Sequence, residues 1–270
     1  MSRLTARLRR PATAGGPGEP ARVLLLHGLG GKSSVWDPFA ARADERLELW
    51  DAELPWRAMR AGDGWGALPE PGRCLRDLVD ERYDAVVAHS YAANLLTEAL
   101  AAGHLAPRRT VLISPFYRPS PQDFDWSVIS YYLNDFHRVF EEALAVGETA
   151  RFAKGHRDWM ARRLRDQIGP YGWMRFFESY LRTPFLDLEA VRTPLLVLSG
   201  EQDIAARAED GRALAAAVAG ARFELLDGCG HFPMVEAADR VTRLVCDFIA
   251  ADPCPARHVA AAPVSLLEKP

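Results

Sequence analysis

Four short apolar runs constrain this chain most: RVLLLH (22–27), AVVA (85–88), TVLIS (110–114) and PLLVLS (194–199). Runs this short and this continuous suit strands buried on both faces. LELWDAEL (47–54) alternates and ends at Pro55, and RFELL (222–226) is a further strand. Helical patterns lie between these runs, at 33–43 with Ser33 or Ser34 as cap, at 73–82, at 91–102 closed by Gly103, at 205–219 and at 235–250. Strands alternating with helices predict an α/β fold: a mostly parallel central sheet with helices on both faces.

The rhythm breaks between 116 and 188. That stretch has no strand pattern of comparable quality and is rich in aromatics: Trp126, Tyr131, Tyr132, Phe136, Phe140, Trp159, Trp173, Phe176 and Phe177. It reads as an inserted helical unit. The predicted division is a core of 1–115 and 189–250, an insertion of 116–188, and a poorly ordered Pro/Ala-rich tail of 251–270. A Gly/Pro-rich loop spans 60–72. Trp56 and Trp65 either line a cleft or anchor that part of the chain. A length of 270 residues is ample for one large core.

The formal net charge of −3 gives no reason to expect nucleic acid or an anionic membrane as partner. Arg3, Arg7, Arg9 and Arg10 precede PATAGGPGEP, which is no apolar signal segment. No run has the length of a membrane span. Cys74, Cys229, Cys246 and Cys254 show neither CxxC nor Cys/His ligand spacing. A reducing, cytoplasmic setting is the expectation.

Chemistry enters at YDAVVAHSYAANLL (83–96). Ser90 stands where a buried strand turns sharply into a helix, with small Ala88 and Ala92 two positions to either side. That is the setting of the nucleophile elbow G-x-S-x-G, here with alanine in place of both glycines. By itself the serine also reads as a helix cap. A serine nucleophile needs a histidine base held in one tautomer by a carboxylate. His231, in LDGCGHF (226–232), lies in a glycine-rich loop between a strand and a helix. Asp203, in LSGEQD (198–203), lies just past a strand, with Glu201, Asp210 and Asp227 as alternatives. Two backbone N–H groups must meet the developing oxyanion. Tyr91, after the serine, supplies one. HGLGG (27–31) supplies the other from Leu29, with His27 ordering the loop and Gly28 and Gly30 letting it come close. His89 packs or hydrogen-bonds behind the serine, with a role near the pocket as the alternative. Lys32-Ser33 after the glycines lacks the spacing of a phosphate loop.

HGLGG (27–31), AHSYA (88–92), SGEQD (199–203) and GCGHFPMVE (228–236), in that order, resemble the α/β-hydrolase superfamily, in the group with a helical cap. The resemblance implies that 116–188 is the cap over a Ser90–His231–Asp203 triad, and it implies no metal or organic cofactor. A serine at 90, where dehalogenases and epoxide hydrolases carry aspartate, argues against those chemistries. The expected function is a serine hydrolase cleaving an ester or thioester of a small, largely apolar or aromatic molecule, its small-molecule substrate. Cyclase, acyltransferase, lyase or carbon–carbon hydrolase chemistry on the same site remains open, as does a ligand-binding protein with a retired site.

Overall fold

In the computed structural model the described residues are 5–14, 19–56, 72–80, 82–135 and 137–251. The expectations for Trp65, Phe136, Cys254 and the tail beyond Ala251 fall outside them. The strands are β1 (Arg7–Arg10), β2 (Ala21–Leu26), β3 (Leu47–Asp51), β4 (Ala85–His89), β5 (Thr110–Ile113), β6 (Leu195–Gly200) and β7 (Arg222–Leu226). They form one sheet in the order β1-β3-β2-β4-β5-β6-β7. All neighbouring pairs from β3 to β7 are parallel, and β1 runs antiparallel to β3 at the edge.

Side chains alternate across each strand, so every apolar run feeds two cores. Leu24, Leu26, Val86, Ala88, Leu112, Leu195 and Val197 face one side. There they meet α2 (Arg73–Leu78), α3 (Tyr91–Ala101) and α7 (Ala208–Ala217). Val23, Leu25, Val87, Val111, Ile113, Leu196 and Leu198 face the other. There they meet α1 (Asp37–Ala40), α8 (Pro233–Glu236) and α9 (Ala238–Ala250). β4, β5 and β6 are buried throughout, which is why they are mainly apolar, with His89, Thr110 and Ser199 as their polar side chains.

Strand β1 has no counterpart among the expectations, because its sequence is RLRR. Its arginines act as ties. Arg7 donates from Nε to Asp51 Oδ1 at 2.7 Å and from Nη2 to Ser33 Oγ at 2.7 Å. Arg9 bonds the other Asp51 oxygen, and Arg10 donates to the carbonyls of Ala40 and Ala43 at 2.8 Å. A fully buried Asp51 is thereby neutralised, as a buried carboxylate must be.

Several helices are shorter than expected. The 33–43 pattern splits into a 3-10 turn, Ser33–Trp36, and α1, with Lys32 at the cap position. Neither serine caps it; the Ser33 side chain is engaged by Arg7 and Glu53. The 73–82 pattern ends at Leu78. The 205–219 pattern starts only at Ala208, because the backbone of Arg207 is extended, with φ −57° and ψ 150°; the N–H groups of Ala205 and Ala206 before it are held by Asp203. The 235–250 pattern breaks at Ala237, between α8 and α9.

Between β5 and β6 the described residues form helices and 3-10 turns: α4 (Trp126–Asn134), α5 (His137–Ala145) and α6 (Lys154–Arg182). α6 is broken at Gly169, where φ is +69° and ψ is +167°, followed by Pro170. Glycine tolerates that conformation, and proline cannot donate back into the helix. Tyr132, Phe140, Phe176, Phe177 and Tyr180 are buried, but Trp126 and Tyr171 are 83% and 80% exposed. The aromatic content of this segment is thus divided between core and surface. Trp56 is an anchor: it is fully buried and donates from Nε1 to the His27 carbonyl at 3.1 Å.

Candidate active site

Ser90 sits at the turn from β4 into α3 with φ +56° and ψ −123°. A side chain at positive φ is strained, and such strain persists only where the surroundings enforce it. They do so here. The Ser90 N–H donates to the Ile113 carbonyl at 2.8 Å, and Ala88 and Ala92 are fully buried on either side. The Ser90 side chain does not cap α3. Its hydroxyl lies 2.9 Å from His231 Nε2.

His231 follows β7, and its Nδ1 is 2.8 Å from Asp203 Oδ2. Asp203 follows β6; its other oxygen accepts from the N–H groups of Ala205 and Ala206 at 2.8 and 2.9 Å. Held this way the carboxylate takes a proton donor at Nδ1, which leaves the Nε2 lone pair to accept from the Ser90 hydroxyl. The three side chains are buried. Their loops are pressed together: a Cβ on Gly200, at the end of β6, would meet the Gly230 carbonyl at 2.2 Å. Glu236 accepts from Gly230 N and Phe232 N at 2.7 and 2.9 Å, fixing the loop around the imidazole. His89 lies behind it and donates from Nε2 to the His231 carbonyl at 2.8 Å. Burial, and then the neighbouring His231, hold the His89 pKa well below its ordinary range, so that ring is neutral.

The other carboxylates are engaged elsewhere. Glu201 accepts from Gly228 N at 2.9 Å, and Asp227 pairs with Arg240 at 3.3 Å on the surface. Asp210 accepts from Tyr180 Oη at 2.8 Å and lies 3.6 Å from Arg118; burial pushes it up to about 6.

The 27–31 loop closes against the serine. His27 Nε2 accepts from Leu54 N at 3.0 Å, so its Nδ1 donates, to the Gly28 carbonyl at 2.9 Å. Gly30 has φ +66°. Leu29, Ser90 and His231 line one small cavity, together with Val139 and Phe140 of α5 and with Phe232. Tyr91 opens α3, its ring packed edge-on against Trp56 and Phe176.

The family model described as "Alpha/beta hydrolase family" matches residues 23–244. The chain belongs to the α/β hydrolase family.

No curated protein sequence matches this α/β hydrolase. Several solved structures share its fold. An enol-lactonase from Burkholderia xenovorans is 20% identical with a TM-score of 0.60, over 92% of this chain and 96% of that one. A 2-hydroxy-6-oxo-6-phenylhexa-2,4-dienoate hydrolase from a Rhodococcus species is 14% identical with a TM-score of 0.59, over 92% and 100%. A lipase-esterase related protein from Clostridium acetobutylicum is 12% identical with a TM-score of 0.64, over 92% and 100%. At these identities the likeness is one of fold.

Among the described residues of this α/β hydrolase, no group of three or more His, Cys, Asp and Glu is placed to hold a metal ion, and no helix is long and apolar enough to cross a membrane. Two α5 residues near the site, Val139 and Glu142, had no sequence signal. Val139 lines the small cavity beside Phe140, an aromatic of the inserted unit that the sequence did mark, and the Glu142 carboxyl lies close enough to feel the Asp203 charge. Glu142 Oε2 is buried with no hydrogen-bond partner, and burial, and then the Asp203 charge, push its pKa up to about 7. Neither follows from local periodicity, because both depend on where α5 docks.

Proposed function

We propose that this α/β hydrolase is a serine hydrolase that cleaves an ester or thioester of a small, uncharged, largely apolar or aromatic molecule. The observation that carries the reading is the continuous chain from Ser90 Oγ through His231 to Asp203, at 2.9 and 2.8 Å. His231 Nε2 takes the Ser90 proton as Oγ attacks the acyl carbon. The oxyanion that forms is held by the Leu29 and Tyr91 N–H groups, each such donor being worth about 10²–10³ in rate. His231 then returns the proton to the departing alcohol or thiol, leaving an acyl-enzyme at Ser90. Water, deprotonated by His231, attacks the acyl-enzyme; the acid leaves and Ser90 regains its proton. Asp203 stabilises the imidazolium in both halves and keeps its own charge throughout. Apolar Val139, Phe140 and Phe232 around the cavity favour an apolar acyl or leaving group. On this reading the 116–188 helices are the cap.

The test is a panel of alkyl and aryl esters and thioesters run in ¹⁸O-labelled water, with a fluorophosphonate to label the nucleophile. The expected results are solvent oxygen in the product acid and label at Ser90. Label at Ser90 with turnover but no solvent oxygen would assign the site to acyl transfer, cyclisation or elimination. Ligand binding with no label would make the protein a receptor.

A further inference from the structure

The cavity at Ser90 has a volume of about 20 Å³. That holds about one water molecule and no ester. A second cavity, of about 390 Å³, lies among α4, α5 and α6. It falls within the size range of small-molecule sites, roughly 300–1,000 Å³. Its apolar wall is Tyr132, Leu133, Pro170 and Trp173, and His137 and Arg165 add polar groups. Arg165 is paired with Asp166 at 2.8 Å, and both line the cavity, so the pair imposes no net charge on an occupant. The break in α6 borders this space, as Gly169 and Pro170 both line it.

α5 borders both cavities, and α6 borders the large one and packs on the loop beside the small one. α5 presents His137 to the large one and Val139 and Phe140 to the small one. In α6, Gly169 lines the large cavity, while Ile168, one residue earlier, reaches the oxyanion loop: its Cδ1 lies 3.2 Å from where a Gly30 Cβ would stand, and Phe140 Cε1 lies 3.1 Å from that point. A row of rings runs from the large cavity to the start of α3, with Trp173 5.4 Å from Phe176, and Phe176 5.7 Å from Tyr91.

We propose that the α4–α5–α6 cavity receives the larger, uncharged aromatic or alkyl part of the substrate attacked at Ser90, and that Phe140 and Ile168 are the partition that must move aside to join the two cavities. The inference rests on the serine-hydrolase reading. It deepens that reading by naming where the substrate's bulk goes. Ile168 and Leu133 thereby set substrate size, and they do so without touching the reacting atoms.

The experiment compares ethyl 4-phenylbutanoate with ethyl acetate on wild type, Ile168→Ala and Leu133→Trp. The ratio of the two kcat/KM values is the readout. Ile168→Ala, which thins the partition, is expected to raise the ratio about ten-fold, and Leu133→Trp, which fills the cavity, to lower it about ten-fold. An unchanged ratio in both variants, with Ser90 still labelled by fluorophosphonate, overturns the proposal and leaves the hydrolase reading standing. If neither ester is turned over and Ser90 is not labelled, the hydrolase reading fails, and the cavity is judged by calorimetric titration with 4-phenylbutan-1-ol. Binding to Ser90→Ala protein that weakens about ten-fold on adding Leu133→Trp supports the site. Absent binding, or binding indifferent to Leu133, removes it.

Discussion

Gly28 has no room for a side chain beside Ser90: a Cβ there would stand 2.8 Å from the Ser90 Cβ and 3.0 Å from His89 Nδ1. The loop that carries Leu29 is therefore packed directly on the elbow. Gly28→Ala forces the loop and the serine apart. A displacement near 1 Å costs about 10²-fold in rate, and overpacking costs about 1–3 kcal/mol of stability. Steady-state kinetics on any ester found to be a substrate, with urea denaturation alongside, check both effects. A fully active, equally stable alanine variant would mean that the loop contributes nothing to catalysis.

On the proposed mechanism Ser90→Ala removes the attacking oxygen, and activity is expected to fall by about 10⁶-fold. The +56° φ of this residue separates that effect from stability. Alanine retains the strain of a Cβ at positive φ, whereas Ser90→Gly relieves it. The glycine variant is expected to be more stable than the alanine variant by about 1 kcal/mol. Thermal unfolding of the pair measures the difference; a less stable glycine variant would deny strain at the elbow.

His89 supports His231 through the 2.8 Å bond to its carbonyl. His89→Phe leaves that buried oxygen unpaired, at a cost of about 1–3 kcal/mol, and frees the His231 loop to shift, lowering kcat. His89→Gln keeps a donor and is expected to recover part of both losses. The pH dependence has a definite sign. The His89 pKa in the folded protein lies well below the ordinary 6.5, so its stabilising share is present above pH 6.5 and is lost as pH falls, because only the unfolded chain takes up the proton. The gap between wild type and His89→Phe should narrow from pH 7.5 to pH 5 in urea titrations.

Glu142 titrates in the opposite sense. Its pKa rises from 4.5 to about 7 in the folded protein, chiefly through burial, then through Asp203, with Glu236 adding to the rise while His231 and Arg138 oppose it. The packing that keeps it neutral contributes stability fully below pH 4.5, and that contribution is lost as pH rises through 7. Glu142→Gln abolishes the loss. Allowing for its partial exposure, the variant should gain on wild type by about 1–2 kcal/mol between pH 5 and pH 8. Parallel stability curves for the two proteins would show that Glu142 does not titrate in this interval.

The sequence by itself determined the parallel core, because β2, β4, β5 and β6 are buried on both faces over most of their length and such strands are mainly apolar. It also determined which residues stand at strand ends with small neighbours, and so marked Ser90, Asp203 and His231. β1 escaped because its arginines serve as hydrogen-bonding ties, a use that no strand propensity records. The tertiary structure alone decided that Ser90 and His231, 141 residues apart, meet within a hydrogen bond, and that Asp203 rather than Glu201, Asp210 or Asp227 stands behind the imidazole. It alone decided, too, that α5 borders both the small cavity at Ser90 and the larger one among α4, α5 and α6. The physical reason is range. Periodicity and propensity report on neighbours within a few residues, whereas the packing of Gly200 on the Gly230 loop, and of Phe140 and Ile168 on Gly30, joins segments whose nearness exists only once both cores have closed.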